Sequence, residues 1–398
     1  MSWAEARSAA YRAGRAAMPE PVEVALADAD GLTLAASLTT LTDLPAFPTS
    51  SVDGYATRGS GPWRVTGRAL AGSVPAPLVV GQAVEIATGA MVPEGTEQII
   101  RVEDARHLDD GRVDGAARPS PDWRDQGDEA AKGEELFPAG VPVTPGLIGL
   151  AASCGYDTLS VIPPVSTAVV VFGDELLTAG PPGSGRVRDA LGPQVPGWLR
   201  RLGAAPVPDF APRGPVADTL AAHVSAIREA LQQADLVCTT GGTMHGPVDH
   251  LHPALAELGA RYIANTVAVR PGFPMLLAEV PGDRPKFVAG LPGNPQSAIV
   301  ALMTLVAPLL AGLAGRNEPA LATVRLAGAV PGRGEYTHLA LVRVGTDGLA
   351  HPVAHTGSAM LRGLAGSDGF AVIEPGTVGT AGDAVPLVPL PIPPGGRP

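Results

Sequence analysis

The chain has 398 residues and a hydrophobic fraction of 45%, enough for roughly two to four domains with real cores. Its net charge of −11 at pH 7 argues against a general nucleic-acid binder, which needs a basic face. Lysine occurs only at Lys132 and Lys286, so an anionic ligand must be held by a few placed arginines and backbone amides.

Residues 2–17 read as a helix, because Ser2 can cap it and Ala, Arg and Glu favour it. Residues 22–36 read as a strand, a turn at 28–31 and a second short element. Leu44-Pro-Ala-Phe-Pro-Thr-Ser-Ser-Val-Asp-Gly-Tyr-Ala56 reads as an ordered loop, since two prolines and a Ser/Thr cluster disfavour helix. From 57 to about 140 the texture is β, with short alternating runs at 63–67, 83–86 and 98–102 between Gly, Pro and Asp. A short helix is predicted over 147–154, ended by Gly155.

A composition shift follows. Residues 167–172 predict a buried strand, ending in Gly173-Asp-Glu-Leu176; helices are predicted at 195–202 and 217–233. Leu236, Val237 and Cys238 form an apolar run of the kind that makes a parallel strand. It breaks into Thr239-Thr-Gly-Gly242, and residues 251–258 read as the next helix. Strands at 267–269 and 286–290 end in Arg270-Pro-Gly-Phe-Pro274 and Leu291-Pro-Gly-Asn-Pro295, and 296–313 is the closing helix. Four strands alternating with helices predict a doubly wound parallel sheet. Runs at 322–326, 339–344, 371–374 and 385–388 predict a C-terminal β domain joined through 315–320. The expected architecture is α/β plus β: a linker domain (21–45 with 140–165), an inserted small β domain (46–139), a parallel-sheet domain (1–20 with 166–317) and a C-terminal β domain (318–398).

Cys154 and Cys238 sit in apolar surroundings and form neither a disulfide framework nor a zinc pattern, which suits a reducing compartment. Residues 1–19 lack an apolar signal core, and the longest apolar stretch, 298–313, is too short to span a membrane and contains Pro308. The expectation is a soluble, cytoplasmic protein with no membrane and no nucleic-acid partner.

The loops 173–176, 241–249, 270–274 and 291–297 should converge at one end of the sheet, where open α/β folds build sites. They offer the carboxylates Asp174, Glu175 and Asp249, the side-chain-free backbone of Gly241 and Gly242, Arg270, the turn Pro292-Gly293-Asn294, and Ser297 at the mouth of a helix. Acids with amides at a strand end suit a magnesium–phosphate ligand, the acids holding the metal and the amides the phosphate. The plain alternatives are that Asp174 caps a turn, Asp249 is the N-cap of the next helix, and Pro292 and Pro295 stiffen a loop. His245, His250 and His252 have poor ligand spacing, so a solvated or capping role is expected. No Walker loop, Gly-x-Gly-x-x-Gly after a strand, Gly-x-Ser-x-Gly or His-Glu-x-x-His occurs.

Taken in order, Phe47 to Ala56 with Asp-Gly-Tyr-Ala, Thr88-Gly-Ala-x-Val-Pro-Glu-Gly95, Gly173 to Leu176, Ala234 to Asp249, Arg270 to Pro274, Leu291 to Ala298, and Gly357-Ser358 through Asp383 resemble the molybdopterin molybdenumtransferases, the family that includes the E domain of gephyrin. The resemblance covers nearly the whole chain. It implies a four-domain dimer in which the cleft forms between the sheet domain of one subunit and the C-terminal domain of its partner, which supplies Arg333, Ser358 and Arg362. It implies magnesium-dependent insertion of molybdate into adenylylated molybdopterin with release of AMP, and contact with other cofactor-biosynthesis proteins. The functional positions it carries over are Asp53, Thr88, Glu175, Asp249, Arg270, Pro292, Arg333 and Ser358; Asp53, Glu175 and Asp249 would be catalytic, with Asp174, Glu175 and Asp249 around the metal.

The departures fall at this presumed site. The family's Asp-Asn-Ser is Pro48-Thr49-Ser50, its Ser-Thr-Gly-Asp-Glu-Leu is Val171-Phe172-Gly173-Asp174-Glu175-Leu176, its Asp-Ser-Asn is Asp189-Ala190-Leu191, its Gly-Gly-x-Ser ends in Met244, and its Lys-Pro-Gly-Lys-Pro is Arg270-Pro-Gly-Phe273-Pro. Phe273 removes a charge that would face an oxyanion. Two readings follow: a working transferase, or a weakened paralogue that binds a pterin ligand or scaffolds cofactor assembly.

Overall fold

Ser2 opens the first helix as predicted. Its Oγ accepts the Glu5 N–H while the Glu5 carboxylate accepts the Ser2 N–H, a capping box at the start of Trp3–Ala16. The buried face of this helix, Trp3, Ala6, Ala10 and Gly14, packs against the closing helical run Pro295–Leu313, 19 residues long and buried inside the protein. That run matches the predicted helix 296–313 to within one residue, is longer than the apolar stretch 298–313, and is long and apolar enough to cross a membrane; its burial marks it as a core helix. Gly14 and Gly312 let the two helices touch. A Cβ on Gly14 would overlap the Leu309 carbonyl oxygen, and one on Gly312 would overlap that of Tyr11. The middle of the run, Leu302–Val306, is a π turn. There Arg7 Nη1 donates to the Met303 carbonyl, a backbone group that a widened turn leaves loose, and Trp3 Nε1 donates to Thr304 Oγ1, both at 3.0 Å.

The computed structural model describes residues 1–119, 121–207, 213–244, 246 and 249–392. They form two compact units: Met1–Val22, Gly31–Ala35 and Val161–Pro398 in one, Glu23–Asp30 and Ala36–Ser160 in the other. In the first, Ser166–Phe172, Leu236–Thr240 and Lys286–Leu291 are parallel neighbours in register. Their apolar, β-branched residues are buried almost without exception, as expected of strands covered on both faces.

The sheet is mixed. Leu276–Val280 and Arg261–Asn265 extend it as antiparallel strands that the sequence reading missed. A register shift between Tyr262 and Ala264 breaks the alternation by which a strand is recognised. The strand expected at 267–269 is not part of this sheet. Val269–Arg270 pairs instead with the C-terminal strand Thr337–Val344, in parallel. Pro271 and Pro274 cannot donate to a ladder, so the chain leaves the central sheet there before returning as Leu276–Val280.

The C-terminal sheet runs Val269–Arg270, Thr337–Val344, Leu349–Pro352, Ala322–Leu326, Ala384–Pro389, Gly369–Ile373, and Gly369–Ile373 pairs back onto Thr337–Val344 to give a barrel-like closure. Leu349–Pro352 and the short helix Arg362–Ala365 were not predicted. In the second unit a six-stranded sheet has Gly54–Thr57 between Gln82–Ile86 and Gln98–Arg101. A Cβ at Gly54 would overlap the Ile100 carbonyl oxygen, so only glycine fits the start of this strand. Thr144 caps Pro145–Ser153, close to the predicted helix.

The close helix crossing is directly testable. Gly312→Val forces Cβ into the Tyr11 backbone, and overpacking of this kind costs about 1–3 kcal/mol or more. Denaturant unfolding should show that loss, and an unchanged midpoint would mean the helices can separate freely.

Candidate active site

Within the first unit, the loops 270–274 and 291–297, with Met244, face the C-terminal sheet across a cavity of about 1130 Å³, and the expected convergence of all four loops is only partial, since Asp174, Glu175 and Asp249 are not in its lining. Arg270, Pro292, Asn294 and Ser297 line it from one side, Arg333 and Ser358 from the other. Sequence reasoning expected the C-terminal residues to arrive from a partner subunit; one chain already brings them together. The reason is local. Val269–Arg270 threads into the C-terminal sheet, and the Ser358 carbonyl accepts the N–H groups of Gln296 (2.9 Å) and Ser297 (3.3 Å). The Gly357 N–H donates to Gln296 Oε1 at 3.1 Å. The helix-mouth amides expected to face an anion are therefore occupied by Ser358. The Gly241 N–H is occupied too, donating to the Leu291 carbonyl at 2.9 Å, while Gly241 and Gly242 take the positive φ of 85° and 65° that glycine permits. Gly293 lies against Gly241, and a Cβ on it would sit 3.6 Å from the Gly241 Cα.

Charge in the cavity comes from arginine. Among the described residues no carboxylate pairs with Arg270 or Arg333. The Arg270 guanidinium carbon lies 4.4 Å from the Tyr336 ring centre and 5.3 Å from that of Phe273. The two rings stand at 90° with centres 5.7 Å apart, an edge-to-face pair beside a cation. Phe273 thus replaces a charge with a wall that orients Arg270. Tyr336 and His338, also lining the cavity, were missed. The predicted strand begins at 339, whereas the observed one begins at Thr337, so His338 falls just outside the expected element and Tyr336 precedes both.

The acids occupy the ends of adjacent strands. Gly173 has φ 134°, and a Cβ there would meet Glu175 Oε2 at 2.6 Å, so the carboxylate folds over the glycine. Asp174 and Glu175 are exposed. The Asp174 N–H donates to Asp218 Oδ2 (3.2 Å), and Arg186 Nη2 donates to the carbonyls of Asp174 (3.2 Å) and Leu176 (3.1 Å). Asp249 Oδ2 accepts the Gly246 N–H at 2.8 Å. It ties its own loop, and His250, not Asp249, precedes the helix Leu251–Glu257. Among the described residues no group of three or more His, Cys, Asp or Glu could hold a metal ion, so Asp174, Glu175 and Asp249 do not form a ready-made cage.

His245 lies outside the described residues. His252 Nδ1 bonds the Tyr262 hydroxyl at 2.7 Å, and His250 stands edge-on to His223. His223, which the sequence reading passed over, is fully buried and stacks on Phe172 with ring centres 3.6 Å apart. Its ring nitrogens have no hydrogen-bond partner among the described residues, and Asp218 Oδ1 is 3.6 Å away. Burial pushes its pKa down, against the opposing pull of Asp218. Phe172 is therefore part of a packed aromatic floor beneath the glycine loop.

Asp53 and Thr88 belong to the other unit and meet there. The Thr88 N–H (2.7 Å) and hydroxyl (2.9 Å) both donate to Asp53 Oδ1. The amide first and the hydroxyl second hold the Asp53 carboxyl below its usual pKa. Whatever this clasp adds to stability is present at neutral pH and is lost as pH falls through the depressed folded-state pKa. Thr88→Val keeps the amide and deletes the hydroxyl, so carboxyl NMR should show the Asp53 titration moving part-way up; no movement would mean the hydroxyl bond is absent in solution. Phe273→Lys should behave differently. It removes an aromatic pair and a cation–π contact, each about 0.5–1.5 kcal/mol, and sets a like charge beside Arg270. A lower melting temperature is expected, and an unchanged one would show that the ring does not pack as described.

Residues 1–155 match the MoeA N-terminal region (domain I and II), 168–312 the probable molybdopterin binding domain, and 323–390 the MoeA C-terminal region (domain IV). The molybdopterin molybdenumtransferase of Haemophilus influenzae is 32% identical over 304 residues, covering 72% of this chain and 73% of that one. That of Bacillus subtilis is 31% identical over 307 residues, covering 72% and 69%. The crystal structure of the molybdopterin biosynthesis moeA protein from Pyrococcus horikoshii OT3 superposes with a TM-score of 0.77 over 97% of this chain and 99% of that one; at 20% identity this is a likeness of fold. The chain belongs to the molybdopterin molybdenumtransferase family, and so to molybdenum cofactor biosynthesis.

Proposed function

We propose that this chain inserts molybdate into adenylylated molybdopterin, with magnesium, and releases AMP. The observation that carries the reading is the pair of arginines without carboxylate partners, Arg270 and Arg333, facing one cavity with Ser297 and Ser358. In a chain of net charge −11, two such guanidinium groups on one cavity suit a tetrahedral oxyanion. Magnesium is held as a rule by one or two carboxylates plus substrate phosphates, not by an all-protein cage. The exposed oxygens of Asp174 and Glu175 and the second oxygen of Asp249 fit that donor chemistry. When bound, the ion would offset phosphate charge; the chain's own part is to orient the oxyanion and keep the acidic loops in place through Asp218 and Arg186. Asp53 as a catalytic residue and Thr88 as a substrate-binding one are kept in this reading, as the family resemblance implies. Two buried free cysteines, with burial raising the Cys238 thiol to about 12, suit a reducing, cytoplasmic setting. A homodimer and contacts with other cofactor-biosynthesis proteins belong to the same reading, and light scattering tests the first.

A second reading, a pterin-binding or scaffolding paralogue, is favoured by one observation: Phe273 fills a wall position with a ring instead of a cation. Purified protein mixed with adenylylated molybdopterin, molybdate and magnesium separates the two. AMP release supports the transferase, whereas pterin binding without AMP selects the paralogue. Losing one charge-assisted hydrogen bond is worth roughly 1.5–3 kcal/mol, so Arg333→Met should raise the molybdate needed for half-maximal AMP release about tenfold to a hundredfold. An unchanged molybdate requirement would remove Arg333 from the site.

A further inference from the structure

His338 has a geometry that the proposed reaction does not yet use. It is 7% exposed, lines the same cavity, and is the direct register partner of Arg270 where Val269–Arg270 pairs with Thr337–Val344. Its Nδ1 lies 2.7 Å from the Pro331 carbonyl oxygen. A carbonyl only accepts, so Nδ1 carries a hydrogen and donates it. In the neutral ring Nε2 is then a bare lone pair, and no protein group among the described residues takes it. The elements around the ring bring no carboxylate onto it. Val269–Arg270 sets Arg270 opposite, Gly369–Ile373 sets the apolar Ile373 opposite, the preceding turn brings Arg333, and Tyr336 follows on the same face.

We propose that His338 is a third, proton-dependent cation of this cavity: a tetrahedral dianion binds between Arg270 and Arg333 together with one proton, taken up at Nε2. The inference rests on the reading of the cavity as the oxyanion site. Its logic is electrostatic. A bare lone pair next to a dianion is repulsive, and a protonated Nε2 is both a donor and a charge. Burial keeps the unliganded ring's pKa below its usual value, opposed next by the hydrogen bond to the Pro331 carbonyl and aided last by Arg333, so the free protein is neutral there at neutral pH. The dianion reverses the sign of that field. His338 thereby supplies, on demand, positive charge in the cavity wall where Phe273 supplies none. It acts by holding the oxyanion: the ring gains only the Nε2 proton, taken from solvent, and no bond of the bound anion is made or broken there.

The test uses the full chain and sodium molybdate in isothermal titration calorimetry, in two buffers of different protonation enthalpy at the same pH. The expected result is uptake of about one proton per molybdate bound above the free-state pKa of His338, with affinity falling about tenfold per pH unit as pH rises. His338→Asn should still bind molybdate, more weakly at low pH, with no proton uptake; His338→Gln serves if the first variant does not fold. If Arg270→Met and Arg333→Met leave molybdate binding unchanged, or if wild type gives no binding, the oxyanion-site reading fails and this inference with it. If both arginine variants weaken binding but wild type takes up no proton, or His338→Asn still takes one up, the site stands and the role of His338 is overturned. The two-buffer measurement on wild type needs no variant, and a merely structural histidine would not produce the proton.

Discussion

Everything in the larger unit hangs on one helix–helix contact. The run Pro295–Leu313 is buried, and the N-terminal helix reaches it only because Gly14 and Gly312 let backbone touch backbone. Such an approach gains dispersion contacts and excludes water, but it leaves the π turn at Leu302–Val306 with loosened backbone groups. Arg7 from the other helix takes one of them, the Met303 carbonyl, and Trp3 ties the turn through the Thr304 hydroxyl. A helix held this firmly fixes where its first turn points. That first turn carries Gln296 and Ser297, whose N–H groups take the Ser358 carbonyl, so the same contact sets the distance between the α/β sheet and the C-terminal sheet.

The cavity between those sheets draws its charge from few sources. Most arginines for which ion pairs occur are tied to carboxylates at the surface, such as Arg68 with Glu85 and Arg106 with Asp114. Among the described residues Arg270 and Arg333 are not, and Arg270 is oriented by the Tyr336 and Phe273 rings. A cation–π contact leaves guanidinium donors free in a way a bidentate carboxylate does not. The departures from the family pattern at 172 and 273 share this physics. Phe172 stacks on His223 and Phe273 packs on Tyr336, so each has a partner that makes sense of it as packing.

Much of this was legible in the residues. The strands 166–172, 236–240 and 286–291, the helix capped by Ser2, and the β texture of both flanking regions announce themselves because burial imposes periodicity on local sequence. Glycines with positive φ at 173, 241 and 242 likewise mark turns through their own backbone needs. The hairpin of Arg261–Asn265 with Leu276–Val280 did not announce itself, because a register shift spoils its alternation and the Arg270–Pro274 turn looked like a strand end.

The residues by themselves determined the alternating architecture, the order of the loops and the candidates Arg270 and Ser297, which are written in composition and spacing, whereas Arg333 and Ser358 entered only through the family resemblance. Only the tertiary structure decided that Val269–Arg270 belongs to the C-terminal sheet, that the helix-mouth amides are spent on Ser358, that Asp249 ties its own loop, and that His338 stands opposite Arg270. The reason is that pairing between strands about seventy residues apart and the occupation of a backbone N–H are long-range choices. They depend on what else is packed nearby, and no local pattern encodes them.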